Sequence, residues 1–273
     1  MALPPRGRTK TVAGAGSGAV EANVFLFVPN VIGYVRIILG VLAFVAAGAG
    51  RPTTCVACYV GSFALDAIDG WAARRLKQAS RFGGVLDMVT DRTATAALFL
   101  LLAHTLPGQW GVFAALLALD VGSHWVHMTA ALMDGAGKHH KDAAASRSGL
   151  VKLYYTNKIV FAYCCIGAEL LWVALYALNA EEGQGDGYSA LASIGLPVQV
   201  VIPELAARAL EALGVAGPLG IGQGPSALSA VQLLAVACLP GAVLKQVTNV
   251  AQLMEASRVV VRIDVEERRK SVA

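Results

Sequence analysis

Apolar runs about twenty residues long recur six times along this chain, at 31–50, 54–75, 84–106, 110–133, 157–178 and 228–256. A helix of about twenty residues crosses the roughly 30 Å hydrocarbon core of a bilayer. It also satisfies its own backbone polar groups where no water can reach them. Only 15% of the residues are charged and the mean hydropathy is +0.60, against about 25% charged in a soluble domain. The expectation is an all-α membrane protein, one bundle of six transmembrane helices. Residues 1–22 are basic, then small, and have no apolar core of signal-peptide length; they read as a disordered tail. "NVFLFVPN" is too short to span and reads as an amphipathic lead-in lying in the interface and ended by Pro29. The membrane domain is taken as 23–256, with a long connection at 179–227 and a charged C-terminal tail at 257–273.

The basic residues fix an orientation. Arg6, Arg8 and Lys10 precede the first run, and Arg74, Arg75, Lys77 and Arg81 link the second to the third. Lys138, Lys141, Arg147, Lys152 and Lys158 link the fourth to the fifth, and Arg258, Arg262, Arg268, Arg269 and Lys270 follow the sixth. These are 17 of the 22 Lys and Arg residues, and all fall on one side of a six-span topology. The opposite connections hold only Arg51 and Arg208. That asymmetry places both termini in the cytosol. The basic loop "GKHHKDAAASRSG" then faces lipid headgroups, and no nucleic-acid partner is expected. The connection at 179–227 offers no chemistry; its "PELAARALEAL" reads as a short surface helix with Glu204 four residues before Arg208.

Against this background, "LDAIDGWAARRLKQASRFGGVLDMVTDRT" stands out, with Asp66, Asp69, Asp87 and Asp91 inside 26 residues. The first two are i and i+3 near the end of the second run, the last two i and i+4 near the start of the third, so each pair shares a helix face. The short connection brings those helix ends together at the cytosolic side. Four converging carboxylates repel one another and are costly at this depth. Divalent cations resolve the conflict, and hard oxygen ligands suit Mg²⁺ or Mn²⁺ shared with a phosphate substrate. Two ions would hold a phosphoryl group between them. Gly70 allows close approach at the carboxylate turn, Arg74 can fork onto phosphate, and Gly83 and Gly84 keep the start of the third run free of bulk. Ion pairing with neighbouring arginines would not require this spacing.

Written as D-x2-D-G-x2-A-R-x8-G-x3-D-x3-D, residues 66–91 resemble the signature of the CDP-alcohol phosphatidyltransferase family without a departure. Around it, "NVFLFVPNVIGYVRI", "LDVGSHWVHM" and "LYYTNK" resemble the eukaryotic, inositol-using branch of that family, over about Asn23 to Tyr176 and weakly in the last run. The longer connection between the fifth and sixth runs is a departure that leaves the signature intact. The resemblance implies six transmembrane helices, a homodimer, a cavity open to the cytosol and an endoplasmic reticulum location. It implies attack of an inositol hydroxyl on the β-phosphorus of CDP-diacylglycerol, with CMP leaving. Asp66, Asp69, Asp87 and Asp91 would bind two Mg²⁺ or Mn²⁺ ions, Asp91 also taking the proton. Gly70, Arg74 and Ser80 would contact CDP-diacylglycerol. A sugar hydroxyl is a poor nucleophile, so a base in reach is chemically required.

The remaining polar residues are weighed more evenly. Asp120 and His124, i and i+4, read as packing or cavity-lining residues, as does His127. Asn30 and Arg36 read as residues at the start of the first helix, with a snorkelling arginine, or as polar groups near the diphosphate. Lys152 and Lys158 are candidate contacts for inositol or a phosphate. His139 and His140 lack partners at ligand spacing, and the five cysteines, including the C-x-x-C of Cys55 and Cys58, read as buried thiols. Two other functions stay open: a transferase of the same family using glycerol 3-phosphate, serine or choline, and a divalent-cation transporter. Transporters usually place their carboxylates near the midplane, in broken helices or repeats, whereas here they fall at a cytosolic helix end beside arginine, with no repeat apparent.

Overall fold

The computed structural model describes residues 23–133, 156–180 and 229–272, together with 208, 211, 214 and 216–219. The basic tail at 1–22, the loop holding Lys152, and the segment holding Glu204 lie outside the described residues. Among the described residues there are six long helices: α1 Val28–Gly48, α2 Pro52–Arg75, α3 Arg81–Thr105, α4 Trp110–Met133, α5 Lys158–Asn179 and α6 Ala230–Val272. No strand occurs among the described residues.

Among the described residues, four segments are long and apolar enough to cross a membrane: Val28–Gly48, Pro107–Met133, Lys158–Asn179 and Ala230–Ser271. Helices α2 and α3 are of similar length but carry the carboxylates and arginines of the signature, which lowers their hydropathy. The outer surface is what hydrocarbon would cover. Val45, Leu100, Trp110 and Trp125 are 62–70% exposed on their respective helices. A solvated protein rarely presents so much contiguous apolar surface, and we read the chain as an integral membrane protein.

Helix α3 lies at the centre, against α1, α4 and α5, while α2 packs on α1 and α5, and α6 on α4 and α5. The core is built from Leu98, Phe99 and Leu102 of α3, Phe113 of α4 and Leu171 and Trp172 of α5. Small residues bring α5 and α6 together. A Cβ on Gly241 would stand 2.9 Å from the Tyr163 carbonyl oxygen, so only glycine permits that approach.

Three local features shape the end of the bundle that carries the signature. First, "NVFLF" forms a single 3-10 turn, Val24–Leu26, and Pro29 lies in the first turn of α1. Pro29 opens that helix instead of ending the lead-in, because proline's missing N–H is no loss there. Second, α2 closes with the Gln78 N–H on the Ala73 carbonyl at 3.0 Å, and Lys77 takes the left-handed position at φ 56°. Third, the same turn is tied to α1, since the Val28 N–H donates to Gln78 Oε1 at 2.9 Å. The turn that brings the two aspartate pairs together is therefore held from both sides.

At the opposite end, part of the long connection packs back on the core. Leu219 is 1% exposed, and Asn179 and Gln232 donate to the carbonyls of Pro218 and Leu219. Arg208 and Glu211 are helical. Beyond 256, the charged segment continues α6 as helix to Val272. All five cysteines are free thiols.

Candidate active site

The four signature aspartates come together as their spacing predicts. Asp66 and Asp69 lie in the last three turns of α2, Asp87 and Asp91 in the first three turns of α3. Carboxylate oxygens of Asp66, Asp69 and Asp87 all lie within 4.8 Å of one another. Two unit charges 4 Å apart repel by about 4 kcal/mol at the effective dielectric of a protein surface, so the group needs positive charge. Hard oxygens at this separation suit a hard divalent ion, and the residues fit Mg²⁺ or Mn²⁺.

The positive charge nearest to them is Arg36. Its side chain is 3% exposed and reaches all four carboxylates. Nη1 donates to Asp69 Oδ2 at 2.6 Å and Asp87 Oδ1 at 2.8 Å. Nη2 lies 2.9 Å from Asp66 Oδ1 and donates to Asp91 Oδ1. Nε is buried without a hydrogen-bond partner. The Arg36 carbonyl accepts from Ser62 Oγ at 2.9 Å, which ties α1 to α2 at this level. Arg36 therefore does not snorkel: it points inward, and the reading that places it among the site's polar groups is the one the structure supports.

The quartet contributes to the lining of two cavities. The smaller, about 200 Å³, is lined by Asn30, Asp69, Gly70, Ser80, Gly84 and Asp87. The larger, about 700 Å³, is lined by Asp66, Asp87, Asp91, Arg92, Glu169 and Lys245, among others. Asp69 faces the first, Asp66 and Asp91 the second, and Asp87 both. Ser80 is the N-cap of α3, its hydroxyl accepting from the Gly83 N–H at 2.9 Å. Gly83 is required there, because a Cβ would stand 2.7 Å from Asn30 Oδ1. Asn30 is buried and donates to the Val24 carbonyl at 2.6 Å. Arg74 is exposed and lines neither cavity, although its guanidinium lies 3.3 Å from where a Cβ on Gly70, a lining residue of the smaller one, would stand.

A second polar network lines the larger cavity. Arg92 donates from Nη1 to both oxygens of Asp120 and lies 3.6 Å from Asp91 Oδ2. His124 Nδ1 bonds the Asp120 backbone carbonyl at 2.8 Å, the helix-internal contact its spacing suggests. Glu169 of α5 accepts from the hydroxyls of Tyr59 and Thr95, each at 2.8 Å. Sequence reasoning passed over Glu169. Its signal was present: a lone carboxylate in "CCIGAELLWVALYAL" is functional by default in a membrane span. Lys158, by contrast, is the exposed first residue of α5 and lines neither cavity.

The CDP-alcohol phosphatidyltransferase family model matches residues 26–193, and the chain belongs to that family. Among its relatives is the CDP-diacylglycerol--inositol 3-phosphatidyltransferase 1 of Arabidopsis thaliana, 35% identical over 92% of this chain and 95% of that protein. The CDP-diacylglycerol--inositol 3-phosphatidyltransferase of Schizosaccharomyces pombe is 38% identical over 91% of this chain and 94% of its own length. The Homo sapiens protein of the same name is 39% identical over 67% of this chain and 84% of its own length. No solved structure matches the chain.

Proposed function

We propose that this protein transfers the phosphatidyl group of CDP-diacylglycerol to myo-inositol, giving phosphatidylinositol and CMP. The observation that carries this reading is the cluster of signature carboxylates lining two cavities, with Asp87 common to both, together with the names of relatives that align over most of the chain. A two-substrate transfer needs donor and acceptor on opposite sides of one reacting phosphorus, and in this reading each of the two cavities takes one substrate.

In this reading the CDP end of the donor lies in the smaller cavity. Gly70 leaves room for the diphosphate, Ser80 offers a hydroxyl beside it, and Arg74, whose guanidinium lies next to Gly70, turns onto phosphate oxygens. Inositol lies in the larger cavity, beside Asp91. Asp66, Asp69, Asp87 and Asp91 would hold Mg²⁺ or Mn²⁺, two ions in this reading, which supply Lewis-acid neutralisation of the diphosphate charge. An inositol hydroxyl oxygen forms a bond to the β-phosphorus while the bond from that phosphorus to the CMP oxygen breaks. The hydroxyl proton passes to Asp91 as the P–O bond forms, because a carboxylate is far too weak a base to remove it beforehand. Arg92, held by Asp120, fixes the other face of Asp91.

The wider setting follows from the topology argument and the resemblance. All six helices cross the membrane, α2 and α3 included, since their charged ends converge on one interface. Both termini and the mouth of the site face the cytosol, in the endoplasmic reticulum, and the protein works as a homodimer.

The test is direct. Purified protein in mixed micelles with CDP-diacylglycerol, Mn²⁺ or Mg²⁺ and labelled myo-inositol should move label into the lipid extract and release CMP in equal amount. Absence of label from the lipid, with CMP release unaffected by inositol, would overturn the reading.

A further inference from the structure

Arg36 poses a question that the transfer reaction does not answer. It comes from α1, outside the signature, yet it contacts every carboxylate of the quartet. A residue that only braced the bundle would need one such partner. Its two Nη groups contact Asp66, Asp69 and Asp87, the three carboxylates grouped for a cation, so the guanidinium and a bridging ion compete for the same carboxylates. The fit of the guanidinium is imperfect, since Nε is buried and unbonded. Burying an unsatisfied donor is costly, which favours a placement that can be given up. The larger cavity, which Arg36 itself lines, offers the side chain space to move into.

We propose that Arg36 is a built-in counter-cation: it holds the carboxylate quartet together in the metal-free protein and is displaced from it when divalent ions bind. The idea rests on the metal reading above and adds a cost to metal binding that this chain itself sets. Without Arg36, four carboxylates would repel at the end of α2 and the start of α3, and the metal-free bundle would loosen there. With it, the site stays assembled, and an ion must displace one charge-assisted contact at each carboxylate before it is fully bound. The competition works like a coupling between two ligands of one site.

The test compares wild type with Arg36→Gln and Arg36→Lys, purified in detergent and stripped of metal. Mn²⁺ is the probe, with its free concentration read by electron paramagnetic resonance and thermal unfolding followed with and without it. The expected result is that Arg36→Gln binds Mn²⁺ more tightly than wild type, by about fivefold or more. Its metal-free melting temperature falls below that of wild type, and Mn²⁺ raises it by a larger increment. Arg36→Lys, which keeps the charge but cannot span four carboxylates, falls between the two. A purely structural arginine would lower melting temperature with and without Mn²⁺ alike and would leave affinity unchanged or weakened. Either of those affinity results overturns the proposal while leaving the metal reading in place. If Arg36→Gln does not fold without metal, the order of wild type and Arg36→Lys in Mn²⁺ affinity decides, and equal or weaker binding by the lysine variant refutes it. Failure of wild type and both variants to bind Mn²⁺ at all would overturn both the counter-cation and the metal site.

Discussion

Arg92 on α3 donates to both carboxylate oxygens of Asp120 on α4, at 2.7 and 3.0 Å. The Asp120 side chain is 5% exposed and that of Arg92 20%, so the pair is a part-buried ionic clasp between two helices, with its carboxylate buried. Breaking such a pair from one side leaves an uncompensated charge and costs about 3–5 kcal/mol. Arg92→Leu is therefore expected to lower thermal stability in detergent strongly. The double variant Arg92→Leu with Asp120→Leu should regain much of the loss, because two apolar side chains replace two charges. A double variant no more stable than the single one would show that the clasp does not act as a pair.

Asp91 sits on the wall of the larger cavity, where its Oδ1 accepts from Arg36 and its Oδ2 faces Arg92. Asp91→Asn keeps the shape and removes the basicity. Turnover should fall by roughly 10²–10⁴-fold, the range of a lost general base, while binding of CDP-diacylglycerol changes much less. Steady-state kinetics beside a lipid-binding assay separates the two. A variant within about threefold of wild type, far short of that range, would remove Asp91 from the base role.

Much of this arrangement was legible in the residues. The apolar runs located the six described helices to within a few positions at most ends, although only four described segments are long and apolar enough to cross a membrane. The quartet was legible because carboxylates are so costly in such a chain that their spacing carries a message. Arg36 was harder. A single arginine two turns into an apolar helix has the same sequence context whether it snorkels outward or reaches inward. The choice depends on which face of α1 meets α2 and α3, and that is a tertiary fact. The extent of α6 was missed beyond 256 because hydropathy ends there, whereas helix propensity continues through "RIDVEERRK". Glu169 was simply overlooked, although its isolation in an apolar run was signal enough.

Removal of metal should abolish the reaction reversibly. Excess chelator is expected to stop turnover, and added Mn²⁺ or Mg²⁺ to restore it. Asp66→Ala and Asp69→Ala should each be inactive at any metal concentration, since each removes one oxygen ligand from the group within 4.8 Å. Full activity in excess chelator would end the metal reading.

Two lysines separate the alternatives for the acceptor pocket. Lys245 is 9% exposed and lines the larger cavity, whereas Lys158 is exposed and lines neither. Lys245→Met should raise KM for inositol by roughly tenfold, the loss of one charge-assisted hydrogen bond, with less effect on KM for the CDP-lipid. Lys158→Ala should have the smaller effect on inositol. The reverse order would move the acceptor site to the start of α5.

Competition between acceptors tests the central claim most directly. Inositol is neutral and carries six hydroxyls, and a pocket lined by Arg92, Glu169, Thr95 and Lys245 can hydrogen-bond several of them. An alcohol that leaves those groups unpaired should be rejected by about 10²-fold or more. CMP release by the purified protein, measured with myo-inositol, glycerol 3-phosphate and serine at equal concentration, should favour inositol by that margin. Preference for glycerol 3-phosphate would leave the family assignment standing and contradict the assignment of inositol as the acceptor.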